Sequence, residues 1–426
     1  MEGNVMWRLF TDKRFVLLWG SQVISQVGDG FGQIAVLLLV ATQLTTGPLG
    51  ISLILLADLG PAILLSPVAG AIGDRKDKKM ILMTSDVARA ILFGIIVITW
   101  HWHSLLTVVI LMVLVGSFRA FFSPAKTAAI PQLLGDDKIT DAIGFSQATS
   151  AVTSVVGVGL GGLAVGLFGT QFALIVDGAS FLLSAMLVMF LPRLLSERTH
   201  SRHSIIADTR EGISTVRNAP ILTFLLVILM PVTLSLGIFT TTQNSILLQD
   251  LHLTPSLYGY TEAVYSAGAA AGALLGAFLL KRLRAGSILL FGVLGTGLMF
   301  MAIVPISDYY IILGGLSILS WALLLGIAST LIQGPLSTLF VLATPKQTRA
   351  RGAALMQAVI NTCMLLGTLL GGLVGAFMGA IPLTLLSGAV LVITAAVGPF
   401  ARGFKQLQLR AKFKSQSVNQ PEGTVV

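Results

Sequence analysis

Residues Gly70 to Lys79 read Gly-Ala-Ile-Gly-Asp-Arg-Lys-Asp-Lys-Lys. Asp74 heads this turn, Asp77 lies inside it, and Arg75, Lys76, Lys78 and Lys79 make it dense in positive charge. Ile51 to Gly70, before it, is apolar apart from Asp58, and Met80 to Trp100, after it, is again a long, mostly apolar stretch. A water-soluble fold does not flank such a cation cluster this way. A membrane protein does, where two spanning helices meet in a short cytoplasmic loop.

Composition extends that reading to the whole chain. Of 426 residues, 55% are apolar and 11% charged, and the mean hydropathy is +0.90. Soluble domains carry roughly 25% charged residues, so most of this chain has no water to face. A spanning helix takes about 20 apolar residues. The sequence predicts twelve spans, at about 15–41, 49–72, 80–99, 104–125, 141–166, 171–191, 220–248, 257–280, 286–305, 310–333, 352–377 and 382–400. The 45 glycines suit helices whose backbones approach closely in lipid and would weaken helices in water.

The net charge of +9 is not distributed as a nucleic-acid-binding surface would be. The alternate loops, 42–50, 100–104, 166–171, 249–256, 305–310 and 377–382, contain no Lys or Arg. The cations lie in the other segments or in helices near them. This bias places both termini in the cytoplasm of a multi-pass cell (inner) membrane protein and requires an even number of spans. The one cysteine, Cys363, excludes an internal disulfide and supports no Cys metal site. Met1 to Arg14 is polar and basic and leads into an apolar run too long for a cleavable signal, so that run is expected to remain as the first span.

The predicted fold class is an all-α integral membrane protein of twelve transmembrane helices in two pseudo-symmetric six-helix bundles. An offset of 210 residues superposes Gly116 on Gly326, Gln147 on Gln357, Gly161-Gly162-Leu163 on Gly371-Gly372-Leu373, Gly169 on Gly379 and Gly178-Ala179 on Gly388-Ala389. One register over spans four to six against ten to twelve implies a parallel repeat. The expected domains are an N-terminal bundle (1–192), a cytoplasmic connector (193–219), a C-terminal bundle (220–401) and a basic tail (402–426). Ile205, Ile206, Ile213 and Val216 give part of the connector one apolar face for the membrane surface; a solvated linker is the other reading.

The turn at Gly70 resembles the signature of the major facilitator superfamily of transporters, G-x-x-x-D-R-x-G-R-[KR]. Gly70, Asp74, Arg75, Lys78 and Lys79 occupy matching positions, and Asp77 replaces a glycine. The exporters' motif G-x8-G-x3-G-P-x-x-G-G is similar to Gly144, Gly157, Gly161 and Gly162 in span five, with Thr153 and Val158 in place of its remaining glycine and proline. Phe121 to Lys126 and Asp86-x-x-Arg89-Ala90 resemble the enterobactin-exporter and macrolide-efflux branch. The resemblance implies a proton-coupled antiporter exporting an amphipathic drug-like or siderophore-like compound. Lysophospholipid transporters share the architecture, so uptake or flipping stays open.

Charges inside spans are expensive and commonly functional. Asp29 is mid-span one, and Gln22, Gln26, Asp29 and Gln33 recur at helical spacing on one face. The resemblance makes span one a wall of the solute path. Asp29, Asp58 and Glu262 are therefore the proton-coupling candidates, with a structural hydrogen bond as the other reading of each. Asp86 and Arg89, three apart, are expected to form a structural ion pair, and Asp177 a structural hydrogen bond. Gly70, Asp74, Arg75, Lys78 and Lys79 are assigned to a gate, with Arg119 as a counter-charge near the inner end of span four and the start of span eleven, near Arg351, as the partner. The cations are equally explained as topology determinants. Gln147, Thr241, Gln243, Asn244, Trp321, Gln333, Gln357 and Asn361 are the remaining cavity candidates; helix-packing hydrogen bonds compete for each.

No Walker loop is present. His101 and His103 flank Trp102 without a ligand set, so no metal or cofactor is expected, and a proton gradient is the implied energy source. The expected partners are a small amphipathic substrate, protons and lipid, with no nucleic acid, and the chain is expected to act as a monomer. An intramembrane enzyme would need a nucleophile with its base or clustered ligands, and neither is legible.

Overall fold

The computed structural model describes residues 10–43, 47–99, 104–134, 139–195, 220–344 and 349–400. The connector beyond residue 195, the basic tail, and His101 to His103 lie outside the described residues. Among those described, twelve helices are long and apolar enough to cross a membrane. They are α1 (Lys13–Leu38), α2 (Gly47–Arg75), α3 (Lys78–Ile98), α4 (Leu105–Leu133), α5 (Ile139–Phe168) and α6 (Thr170–Met189). The other six are α7 (Pro220–Ser245), α8 (Pro255–Leu280), α9 (Ala285–Leu313), α10 (Gly315–Ala343), α11 (Arg349–Met378) and α12 (Ala380–Val397). The chain is a multi-pass membrane protein. Helices are required because lipid offers no partner to an open backbone N–H or C=O.

Local sequence sets several helix starts. The Asp12 carboxylate accepts from the Arg14 N–H at 2.9 Å, and Ser104 Oγ accepts from the Thr107 N–H at 3.2 Å. Both satisfy a first-turn donor that has no partner within its own helix. The helices also run further than the prolines suggested. Span four was expected to end at 125, yet α4 carries Pro124 and Pro131 inside it and reaches Leu133. The expected loop at 305–310 is helical: Pro305 lies within α9, and the chain turns at Gly314, where φ is +59°. Membrane helices tolerate such prolines because neighbouring helices and local adjustment re-satisfy the freed carbonyl.

The residues group into two compact units. The first contains α1–α6 with 243–263 and 372–377; the second contains the rest of α7, α8 and α11 with α9, α10 and α12. In the first unit α1 packs on α5 and α6, α2 on α4, and α3 on α4 and α6. In the second, α9 packs on α10 and α12.

Glycines related by the 210-residue offset occupy corresponding crossings. A Cβ on Gly116 of α4 would strike the carbonyls of Ala57 and Asp58 on α2, and one on Gly326 of α10 would strike Tyr265 and Ala269 on α8. Gly161 of α5 meets Gly30 and Phe31 of α1; Gly371 of α11 meets Ile238 and Thr241 of α7. Gly178 of α6 lies against α3 at Phe93, and Gly388 of α12 against α9 at Gly297. Gly169 and Gly379 precede α6 and α12 with φ of +85° and +86°.

Candidate functional site

A stripe of α1 lies along α5. Trp19 Nε1 donates to Thr149 Oγ1 at 3.1 Å, and Gln22 Nε2 donates to Ser150 Oγ at 2.6 Å and to the Ser146 carbonyl at 3.2 Å. Ser146 Oγ donates back to Gln22 Oε1 at 2.7 Å. One turn on, Gln26 Nε2 donates to Ser150 Oγ at 3.1 Å and Thr153 Oγ1 donates to Gln26 Oε1 at 2.9 Å. Beyond that, Gly30 meets Gly157, and Gly161 meets Gly30 and Phe31. Gln22, expected in the solute cavity, is instead buried in this seam. A buried amide must find partners, and the α5 hydroxyls supply them at matching helical spacing. Thr153, the departure from the exporter motif, is one of those partners.

The motif glycines divide between two neighbours. Gly157 and Gly161 take α1, whereas Gly162 meets Gly259 at the start of α8, within the first unit. Gly144 has nothing within 4 Å of a built Cβ.

Behind the seam is a cavity of about 250 Å³, whose lining includes Gln26, Asp29, Gln33, Asp58, Phe93, Arg119, Ser154 and Asp177. Arg119 is its centre. Its Nη1 donates to both oxygens of Asp58, at 2.9 and 2.8 Å, and its Nη2 donates to Asp29 Oδ1 at 2.9 Å. The expectation of Arg119 near the inner end of span four is thereby corrected. Because α4 continues through Pro124 to Leu133, Arg119 falls at mid-helix, where a lone guanidinium is costly and two acids offset it.

Arg89 forms an ion pair with Asp86 and lies 4.0 Å from Asp29. Its guanidinium carbon sits 4.1 Å from the Phe181 ring centroid and 4.8 Å from that of Phe122, a geometry in which the ring faces attract the cation. Ser184 Oγ donates to Asp86 Oδ2 at 2.6 Å. Asp177 is different. It is 1% exposed, and neither carboxylate oxygen has a hydrogen-bond partner among the described residues. The structural hydrogen bond expected for its side chain is not formed. Gly28 and Gly32 of α1 leave the space that it occupies.

Of the basic turn, the side-chain surroundings of Gly70, Asp74 and Arg75 lie outside the described residues, as do those of Gln147 and Arg351. Asp77, where the signature has glycine, caps α3: its Oδ1 accepts from the Lys79 and Leu194 N–H groups, each at 3.0 Å. Lys79 Nζ donates to the Met189 and Leu191 carbonyls, each at 2.7 Å, where a cation meets the negative end of α6. Lys78 is buried beside them, its N–H donating to the Leu194 carbonyl at 3.1 Å. In the first unit the turn is thus fastened to the end of α6.

Several other cavity candidates are committed to packing. Thr241 is fully buried, its hydroxyl 3.3 Å from the Thr368 carbonyl. Trp321 is 1% exposed and donates its Nε1–H to the Met299 carbonyl at 2.8 Å, near Phe239, which stacks on Phe300. Its indole fills the core of the second unit. Asn244 accepts from Tyr258 O–H at 2.5 Å, and Gln243 Nε2 reaches Glu262 Oε1 at 3.5 Å. Gln357 Nε2 donates to Asn361 Oδ1 at 2.9 Å along α11, and both Gln357 and Gln333 are exposed. Ser150 and Thr153, which hold Gln22 and Gln26, were missed from the sequence, although their spacing against span one was there to be read.

The family profile described as "Transmembrane secretion effector" matches residues 5–424. The chain is similar to the uncharacterized MFS-type transporter YfiS of Bacillus subtilis, 28% identical over 389 residues, covering 89% of this chain and 91% of that one. It is also similar to macrolide efflux protein A of Streptococcus pyogenes, 23% identical over 427 residues, covering 96% of this chain and 100% of that one. The crystal structure of the nucleoside transporter NupG superposes with a TM-score of 0.71 at 13% identity, covering 90% of this chain and 98% of that chain. With its twelve spans, its signature turn and this match over nearly its whole length, the chain belongs to the transmembrane secretion effector family of major facilitator superfamily transporters.

Proposed function

We propose that this transporter is a proton-coupled antiporter that exports an amphipathic, drug-like compound by alternating access. The observation that carries the reading is the cavity between the helices of the first unit, lined among others by Asp29, Asp58, Asp177 and Arg119. Two guanidiniums, Arg89 and Arg119, stand against four carboxylates, those of Asp29, Asp58, Asp86 and Asp177. Such a site has more acid than it can neutralise internally, and taking up protons relieves the excess. Asp29 and Asp58 both line the cavity, equally exposed, and share Arg119. Glu262, beside Gln243, is a further titratable group in the first unit. Similarity to macrolide efflux protein A supports export and an amphipathic cargo. Within the first unit Gln33 lines that cavity and suits a solute bearing hydroxyl groups; in the second unit Gln333 and Gln357 are exposed amides.

In this reading both termini, the connector at 193–219 and the tail at 402–426 face the cytoplasm. The turn at Gly70 to Lys79 works as the gate, and the chain acts as a monomer with no cofactor beyond the proton gradient. The test uses proteoliposomes with an imposed pH gradient and erythromycin as the macrolide probe. Addition of the probe is expected to discharge the gradient, and Asp29→Asn is expected to remove the effect while expression holds. Probe flux indifferent to the gradient would replace antiport with facilitated or flipping transport.

A further inference from the structure

We infer that the proton used for coupling resides on Asp177 of α6, and that Asp29, the more obvious acid, positions Arg119. The inference rests on the antiport reading and names its proton site.

Each charged group in the cluster except Asp177 has an assigned partner. Asp58 and Asp29 take Arg119, Asp86 takes Arg89 and the Ser184 hydroxyl, and Arg89 is completed by the rings of Phe122 and Phe181. Asp177 is as deeply buried as Asp86 and has no such company. The hydroxyl of Ser180, one turn on, donates to the backbone carbonyl of Asp177 at 2.7 Å. On the α1 side the carboxyl lies against Gly28 and Gly32, which offer no side-chain donor. An ionised carboxylate cannot be held there without a counter-charge or donors, whereas the neutral acid can. Among the described residues no group of three or more His, Cys, Asp or Glu is placed to hold a metal ion, which would need several oxygen ligands.

The charged groups that face Asp177 are Asp29 from α1, Asp58 from α2, Arg89 from α3 and Arg119 from α4. Asp86 lies behind Arg89. Two of the facing groups are acids, and the two cations are already engaged. Loading is the transfer of one proton from water onto Asp177, giving a neutral carboxyl. Unloading breaks that O–H bond, returns the proton to water and leaves a carboxylate. The carboxylate is then met by Arg119, which lines the same cavity, as the guanidinium loosens from Asp29 and Asp58. A cationic or hydrogen-bonding solute that engages Asp29 frees Arg119 in the same way, so solute entry and proton release share one guanidinium.

The experiment follows the reconstituted full chain through a pH titration by infrared difference spectroscopy, with the proton as the added ligand. The expected result is a protonated-carboxyl C=O band that is present near neutral pH, fades on alkalinisation and is absent from Asp177→Asn. A band that survives in Asp177→Asn, or no such band in the unsubstituted protein, overturns the inference. Should Asp177→Asn fail to fold, Asp177→Glu decides: a shifted band frequency supports the assignment and an unchanged one defeats it. Probe-driven proton flux is measured alongside. Flux together with a band that survives in Asp177→Asn keeps antiport and removes Asp177. A titrating Asp177 band without flux keeps the proton site and removes antiport.

Discussion

Arg119 holds Asp58 through both carboxylate oxygens, at 2.9 and 2.8 Å from one guanidinium nitrogen, and with its other terminal nitrogen reaches Asp29 on a different helix. Three helices, α1, α2 and α4, are thereby tied at one point by a group that cannot lose its charge.

Removing the guanidinium leaves two acids facing each other. Side-chain exposure of 34% for Arg119 and 26% for each acid puts the expected loss for Arg119→Gln at about 1–3 kcal/mol, below the ~3–5 kcal/mol of a dry pair. Arg119→Lys should recover only part of it, because an ammonium lacks the two separate terminal nitrogens that reach Asp58 and Asp29 at once. Thermal unfolding in a lipid nanodisc measures both, and the Arg119→Gln/Asp58→Asn double variant should be more stable than Arg119→Gln alone.

The crossing of α1 over α5 admits no side chain at Gly30 or Gly157. Gly157→Leu is expected to cost ~1–3 kcal/mol or more through overpacking and to reduce the folded yield. Gly144→Ala, in open space on the same helix, should be neutral or stabilising by about 0.5–1 kcal/mol, since a helical glycine is entropically costly. Comparable melting temperatures for the two variants would contradict the packing described.

Gly169 and Gly379 adopt a backbone conformation, φ near +85° with ψ of 167° and 160°, that is essentially reserved for glycine. Alanine at either should cost about 1–3 kcal/mol. The repeat requires the two losses to be similar, and a large difference between them in unfolding midpoints would break the equivalence.

Trp321→Phe keeps the ring in the second unit's core and deletes the donor to the Met299 carbonyl. The expected effect is a stability loss of about 1 kcal/mol with the cargo profile unchanged. A changed profile across a panel of macrolides would return Trp321 to the solute path.

How far the site was legible can be followed residue by residue. Asp29, Asp58, Asp86, Arg89, Arg119 and Asp177 all stand out in the sequence, because an ionisable residue within an apolar span is rare. Their pairing was less accessible. Arg119 was placed near a helix end because Pro124 and Lys126 read as a terminus, whereas neighbouring helices carry α4 through both. Of the polar stripe on α1, Gln26, Asp29 and Gln33 do line the cavity, whereas Gln22 is buried against α5, because helical spacing identifies a shared face without identifying what each part of that face meets. The same limitation put Trp321 and Thr241 in the solute path.

The sequence alone determined that the chain crosses the membrane twelve times, which loops share the cations, and that its halves repeat. Those properties follow from local constraints: an apolar run in lipid must satisfy its backbone as a helix, and a misplaced lysine or arginine is penalised wherever it lies. Only the tertiary structure decided which acid is left bare. Asp29 and Asp177 are both aspartates in apolar helices, and the difference between them is that α4 brings a guanidinium to one and glycines of α1 close over the other.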